Sequence, residues 1–137
     1  MGIPSKDMVK LLELKGVGCS GETLFYSKMP EEVDLAVAVL DTGGIDSNPL
    51  WKRDLFTQQF LVRGQPNKYD EAYNLAKAVK DALLGCKPVT VEGVDYTQFV
   101  MIGDITAIGY DDSNRPRFTL NFRILRENEP GGKRLDF

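Results

Sequence analysis

The side chains of this sequence that could do chemistry are mainly carboxylates, and two pairs of them are adjacent in the chain. Glu31-Glu32 and Asp111-Asp112 could each contribute oxygen ligands to a divalent cation. Both pairs fall in predicted turns, where acidic side chains commonly hydrogen-bond the local backbone. We therefore interpret them as turn residues. A magnesium site at Asp111-Asp112 is the alternative, and it requires further ligands that the sequence does not identify.

Histidine is absent, since the sequence contains 0 His. This excludes Ser-His-Asp catalysis, Cys-His catalysis and most zinc sites, because each of them needs an imidazole. Cys19 and Cys86 are far apart in the chain and match no metal-binding spacing. We expect both to be free thiols in a reducing compartment, and their proximity in space stays open.

Gly16, Gly18 and Gly21 match the spacing GxGxxG. In a dinucleotide site this motif leaves a strand and begins a helix, whereas here it follows a predicted helix and leads into Leu24-Phe25-Tyr26. We interpret the run as a turn. No glycine-rich phosphate loop with a following lysine is present. The sequence predicts a protein that is not an enzyme and that uses no cofactor and no metal. A small nucleotide- or metal-dependent enzyme is the alternative.

Length and composition predict one globular domain. The chain has 137 residues, of which 42% are hydrophobic and 27% are charged, and this size allows a core without metals or disulfides. The net charge of −3, with no basic run, argues against a protein that binds duplex DNA regardless of sequence. No apolar run approaches the length of a membrane span and no signal-peptide pattern is recognisable, so we expect a cytoplasmic protein without a membrane partner.

One amphipathic helix, predicted over Asp70–Leu84, organises the core. Its apolar residues recur at intervals of three and four and form one face: Ala72, Leu75, Ala76, Val79, Ala82 and Leu83. Burial of Leu75, Val79 and Leu83 contributes roughly 1.5–3 kcal/mol each. The small residues on the same face let the helix lie close to a sheet. On this basis Leu75→Asp is expected to abolish folding.

Strand patterns stand on both sides of this helix. The predicted strands are Val33–Leu40, Phe56–Arg63, Val89–Val91, Val94–Tyr96, Gln98–Tyr110 with a bend at Gly103, and Arg117–Arg126. A first helix is predicted from Ser5, as its N-cap, to Lys15. The sequence thus predicts an α+β fold, a single domain with a mixed, mostly antiparallel β-sheet and helices packed on one face. We place this domain at residues 1–127 and a flexible C-terminal tail at 128–137.

A long loop is predicted over residues 41–55, and it carries Ile45, Leu50 and Trp51. These apolar groups either fold back on the core or contact a partner, and the sequence favours neither. The candidate partner-contact residues of the whole chain are Ile45, Leu50, Trp51, Arg115, Arg117, Leu135 and Phe137.

The order and spacing of several short segments form a further pattern, in which no single piece is a diagnostic motif. The segments are Leu24–Tyr26 with Met29–Glu32, Val37–Leu40 with Gly43-Gly44, Phe60–Gly64, Tyr69–Leu84, Gly109–Asp112 with Asn114–Pro116, and Phe118–Glu127. Through them most of residues 5–127 resembles the tail terminator proteins of long-tailed bacteriophages, also labelled minor capsid proteins.

The resemblance implies a structural virion protein that forms a hexameric ring at the head-proximal end of the tail. Such a ring caps the tail tube, ends tube polymerisation and provides the docking surface for the head connector. The implied partners are further copies of the chain, the major tail tube protein and a head-tail connector or stopper protein, with assembly in the host cytoplasm. DNA is expected to pass through the lumen without specific binding, which a mildly acidic protein favours. Another neck or tail-completion protein, such as a connector or stopper, is the alternative.

Overall fold

The computed structural model describes residues 3–44 and 53–127, with side chains within 3–43 and 55–127. Its elements follow the chain as α1 (Pro4–Leu14), β1 (Leu24–Tyr26), β2 (Ala36–Gly44), β3 (Arg53–Arg63), α2 (Tyr69–Leu84), β4 (Val89–Val91), β5 (Val94–Tyr110) and β6 (Pro116–Glu127). The candidate residues Ile45, Leu50, Trp51, Leu135 and Phe137 lie outside the described residues, as does the predicted tail 128–137. Neither of the described helices combines the length and the apolar character needed to span a membrane.

The strands form one mixed sheet in the order β1-β2-β3-β6-β5-β4. β1 and β2 are parallel, whereas each of the other neighbouring pairs is antiparallel. Directly paired residues lie on the same side of a sheet. One side, called the inner face, carries Val39, Phe60 and Leu120, which are paired across β2, β3 and β6 and are completely buried with residues of both helices. The α+β prediction, with both helices on one face of a mixed sheet, is confirmed.

The predicted central helix is α2, and it packs on β3, β5 and β6 through a narrower face than the sequence suggested. Ala72, Ala76, Val79 and Leu83 are completely buried, whereas Leu75 is only half-buried. The helix approaches the end of β3 so closely that a Cβ on Gly64 would lie 2.6 Å from the Cβ of Ala72. Glycine is therefore required at the turn that leads into α2.

The N-cap of the first helix lies two residues earlier than predicted, so the predicted cap at Ser5 is wrong. Ile3 is the N-cap and its side chain makes no capping hydrogen bond, while Pro4 occupies the first helical position. The carboxylate of Asp41 in β2 supplies the cap instead, accepting hydrogen bonds from the Ser5 N–H at 3.0 Å and from the Ser5 hydroxyl at 2.7 Å. The cap comes from a residue 36 positions away, so local sequence could not reveal it.

The loop predicted over 41–55 is shorter than expected at both ends. Asp41 pairs with Gln58 and Gly44 pairs with Phe56, so β2 and β3 continue past the predicted loop boundaries. Gly43 has a φ of +79°, and it lies in the register shift between Asp41 and Gly44. A bulge at this glycine lets the two strands continue to pair through a polar, glycine-rich stretch that reads locally as a loop.

A single strand, β5, replaces the predicted Val94–Tyr96 and Gln98–Tyr110. The predicted bend at Gly103 is confirmed, since Gly103 has a φ of +73° and lies within a register shift between Ile102 and Thr106. The side chain of Asp104 accepts a hydrogen bond from the Ile105 N–H at 2.7 Å and one from Lys80 of α2 at 2.9 Å. The bulge is thereby tied to α2.

Candidate partner-contact surfaces

The predicted turns at the two carboxylate pairs are joined through Arg115, which is 4% exposed. Its guanidinium donates to Asp111 Oδ2 at 2.7 Å, to Glu31 Oε2 at 2.9 Å and to Asp34 Oδ1 at 3.3 Å. It also donates to the main-chain oxygen of Glu31 at 2.9 Å. These bonds lie within the chain and connect the β5–β6 turn to the segment between β1 and β2. For Arg115, the structure shows this internal role, and its contact with a partner stays a prediction.

Asp111 acts as a turn residue, as predicted. Its Oδ1 accepts hydrogen bonds from the N–H groups of Ser113 and Arg115, each at 2.9 Å, in addition to the Arg115 contact at Oδ2. Burial disfavours the charged carboxylate, but the hydrogen bonds from Arg115 and Ser113 outweigh it, and the pKa of Asp111 lies below its usual value. The described residues contain no group of three or more His, Cys, Asp or Glu placed to hold a metal ion.

The side chain of Arg63 is hydrogen-bonded to the segment between β1 and β2. It donates to the main-chain oxygens of Pro30 and Val33 and, at 3.4 Å, to that of Asp34. Burial and the neighbouring Arg115 charge lower the pKa of Arg63. Arg63 pairs with Ala36 on the outer face of the sheet, and Ala36 is completely buried. The segment therefore lies across this part of the outer face.

Arg117 is half-exposed and lies beside Arg63 in the register of β3 and β6. It donates to the Tyr110 main-chain oxygen at 3.2 Å. Its side chain belongs to the outer face, which further along β6 carries Asn121 and the exposed Arg123. The contact of Arg117 with a partner stays a prediction.

The glycine run after α1 is a turn, as interpreted from the sequence. The Cys19 main-chain oxygen accepts from the N–H groups of Thr23 and Leu24, at 3.0 and 3.1 Å. The Ser20 N–H, which a phosphate would need, donates to the Glu13 carboxylate at 2.8 Å. A Cβ on Gly18 would lie 2.2 Å from the Thr23 hydroxyl, so glycine is needed for packing. Cys19 and Cys86 are free thiols, as expected.

Exposed apolar side chains that the sequence analysis missed lie along β5 and at the start of α2. Val100, Ile102, Ile108 and Tyr110 of β5 are 38–49% exposed. On the inner-face side of the sheet, Tyr69 and Tyr73 of α2 are also exposed, and they contact the buried Phe118 ring edge-on. The sequence did contain an indication of these side chains. Phe99 to Ile102 is apolar at every position, whereas a strand with one face in water alternates apolar and polar residues.

The same strand leaves part of its backbone unpaired. β4 pairs with Val94–Tyr96 only, and among the described residues no strand pairs with the rest of that edge. The regular stretch Gln98–Ile102, which lies between a register shift at Thr97 and the Gly103 bulge, is called the open edge below. An open edge of this kind presents N–H and C=O groups to which another strand can bind.

Together the fold and these surfaces define a class: a small α+β domain with exposed apolar side chains and an unpaired strand edge on β5. Within that class a family model, described as bacteriophage tail terminator protein, matches residues 11–128. The chain belongs to this family, and it is accordingly a structural component of a bacteriophage tail. A comparison with curated proteins gives no match.

Proposed function

We propose that this protein forms a hexameric ring that caps the tail tube, ends tube polymerisation and provides the docking surface for the head connector. The match of the tail terminator family over residues 11–128 carries the proposal. The protein acts through contacts and performs no catalysis. Its place is the head-proximal end of the tail, which it reaches from the host cytoplasm.

The proposed partners are other copies of this chain, the major tail tube protein and a head-tail connector or stopper protein. The exposed apolar side chains on β5 and α2 support such contacts, because an exposed apolar cluster on a small protein commonly marks an interaction surface. We keep Ile45, Leu50, Trp51, Arg117, Leu135 and Phe137 as further contact residues. DNA passes through the lumen without specific binding, which the net charge of −3 favours.

The deciding experiment is deletion of the gene, with the gene restored from a plasmid as the control. Infected cells without the protein are expected to accumulate filled heads beside unjoined tails of abnormal length, as seen by electron microscopy. Tails of normal length that are already attached to heads would contradict the terminator function. Tails of normal length beside unjoined heads would favour a connector or stopper instead.

The enzyme alternative is tested on the purified protein. Thermal unfolding is measured with nucleotides and with divalent cations, since a ligand that binds the folded state raises the melting temperature. We expect no shift with either. A large shift with a nucleotide or with Mg²⁺ would show a binding site and favour an enzyme.

A further inference from the structure

The open edge lacks the features that usually protect an exposed strand. β5 contains neither proline nor lysine, the residues that commonly block edge-to-edge pairing. Val100 and Ile102 are exposed on the outer face of the edge. The register shifts at Thr97 and Gly103 bound the open edge but leave Gln98–Ile102 uninterrupted. This stretch is long enough to accept a short added strand.

We propose that the open edge binds the C-terminal segment Lys133–Phe137 of a second copy of the chain, which adds to the sheet as a further strand. This inference rests on the proposed ring, in which each copy gives one segment to a neighbour and receives one from another neighbour. Contacts of this directional kind are what a closed ring of identical subunits requires.

The apolar pattern of the segment matches the open edge. The sequence Lys-Arg-Leu-Asp-Phe, extended as a strand, places Leu135 and Phe137 on one side and Asp136 on the other. Val100 and Ile102 likewise share one side of β5, since their partners Arg123 and Asn121 lie on the outer face. Leu135 and Phe137 would therefore cover exposed apolar side chains as cross-strand neighbours.

The charges are complementary as well. β5 carries two carboxylates and no cationic side chain. These are Asp95 and Asp104, which are both exposed and which flank the open edge at its two ends. Asp104 already forms an ion pair with Lys80, so the complementarity rests on Asp95. The segment begins with Lys133 and Arg134. Opposite charges on neighbouring strands stabilise the pairing and oppose the binding of an acidic strand.

The place where β6 ends favours a second copy over the same chain. Arg126 pairs with Tyr96, so the chain leaves β6 beside the start of β5, where β4 occupies the edge. To reach its own open edge, residues 128–132 would have to reverse direction, cross about 10 Å of sheet and pass β4. Five extended residues span at most about 17 Å, so little length remains after the crossing for the reversal and for the path around β4. The edge of a neighbouring copy carries no such restriction.

The experiment is a disulfide cross-link between two single variants, Ile102→Cys and Leu135→Cys, each also carrying Cys19→Ser and Cys86→Ser. Each variant is first shown to keep the parent's cooperative thermal unfolding. The two are then mixed at high concentration, oxidised mildly and analysed on a non-reducing gel. We expect a covalent one-to-one dimer of the two variants. Leu84→Cys mixed with Leu135→Cys is the control pair, because Leu84 is 50% exposed but lies at the end of α2.

A link no stronger than that of the control pair would overturn the proposal. So would a double variant, Ile102→Cys with Leu135→Cys, that forms its disulfide only within one chain. Hydrogen exchange of the unaltered protein gives a second measurement, in which assembly must slow the exchange of amides within residues 98–102. Unchanged exchange there would also overturn the proposal.

The proposed function is judged separately, from tail length in the deletion experiment. A positive cross-link together with normal, head-joined tails in that experiment would keep this contact and remove the terminator function. Abnormal tails with no cross-link would keep the terminator function and remove this contact.

Discussion

At the scale of single residues, Arg115 is the side chain that connects two turns far apart in the chain. It is buried, and it is bound by the carboxylates of Asp111, Glu31 and Asp34. Desolvation opposes its charge, but the hydrogen bonds to Glu31 and Asp111 outweigh this and raise its pKa. The residue remains a cation at any pH at which the protein is folded. Because Arg115 binds both, it holds the β5–β6 turn against the segment between β1 and β2.

Arg115→Ala is therefore expected to destabilise the protein by about 2 kcal/mol, because the largely buried Asp111 carboxylate and the Glu31 main-chain oxygen lose a donor. The Glu31 and Asp34 carboxylates are 84% and 50% exposed, so water can replace the lost contact there. Urea unfolding measures the loss. Arg123→Ala is the matched control, since Arg123 is exposed on the outer face, and it should change stability by less than about 0.5 kcal/mol. Similar losses for the two variants would show that the Arg115 cluster contributes little.

Asp111 adds a dependence of stability on pH. Its folded-state pKa is lowered, so between that value and the ordinary Asp pKa the folded state binds fewer protons than the unfolded state. The contribution is fully present above the ordinary pKa of about 3.9. It is lost as the pH falls through the lowered folded-state value.

Asp111→Asn should accordingly reduce the acid sensitivity of the fold. Urea unfolding of the parent and the variant is compared from about pH 5 to about pH 2, and the parent's advantage should shrink as the pH falls. Asp112→Asn serves as the control, because Asp112 is exposed in the same turn. An advantage that is constant across this range would show that the charge of Asp111 does not contribute.

At the scale of secondary structure, Asp41 connects α1 to β2. Its carboxylate binds the first turn of α1 through Ser5, and Oδ1 also accepts a hydrogen bond from Gln58 Nε2 at 2.7 Å. Gln58 is 1% exposed, so this contact pairs the buried NH2 group of its amide, while the buried Oε1 accepts no hydrogen bond from the described residues. The negative charge also lies at the helix end where the dipole stabilises an anion.

Asp41→Ala should cost about 2 kcal/mol, because it removes a helix cap and leaves buried groups unpaired. Asp41→Asn keeps one acceptor oxygen for the Ser5 N–H and Gln58, and its NH2 group can donate to the Ser5 hydroxyl in place of Oδ2. It loses the charge but leaves these groups paired, so its cost should stay below about 1 kcal/mol. Chemical unfolding of both variants, with helix content checked by circular dichroism, measures the difference. Equal costs would mean that charge, rather than hydrogen bonding, dominates this cap.

For α2, the structure replaces the expectation that Leu75→Asp abolishes folding. Leu75 is half-buried, so a carboxylate there can reach water, whereas Val79 is completely buried against the sheet. Val79→Asp should cost several kcal/mol, a large share of a typical stability of about 5–15 kcal/mol. Leu75→Asp should remain folded with a lower melting temperature. A Val79→Asp variant that melts near the parent would contradict this orientation of α2.

At the scale of the whole molecule, the surface available for self-association is mixed in character. The outer face carries polar side chains along β6, including the half-buried Asn121 and the exposed Arg123, beside the exposed Val100 and Ile102 of β5. Contacts of mixed polarity are typical of interfaces that form and dissociate, whereas permanent ones are more apolar. If it caps tail tubes as proposed, the protein also must not assemble into a firm ring before a tube end is present.

We therefore expect monomers, or a monomer–oligomer mixture, at low concentration and hexamers on tube ends. Sedimentation velocity over a range of concentrations measures the free protein, and electron microscopy of capped tubes counts the subunits. A hexamer that persists at the lowest measurable concentration would contradict the expectation that the tube stabilises the ring.

The sequence by itself determined the features that depend on local periodicity and turn chemistry. The helix near Asp70–Leu84, the alternating strand β6, the bend at Gly103 and the turn at Gly16–Gly21 follow from side chains adjacent in the chain. Each of these elements satisfies its own hydrogen bonds or shows one apolar face, so a short window of sequence contains the information. The α+β class follows from their order.

Only the tertiary structure decided which distant residues meet. The cap that Asp41 gives to α1, the joining of two turns by Arg115 and the parallel pairing of β1 with β2 depend on contacts between segments far apart in the chain. The open edge of β5 is likewise a property of strand order, since only the sheet shows that β4 covers three residues and stops. Periodicity assigns a residue to a face but not to a neighbour, because strand pairing is set by the packing of the whole core.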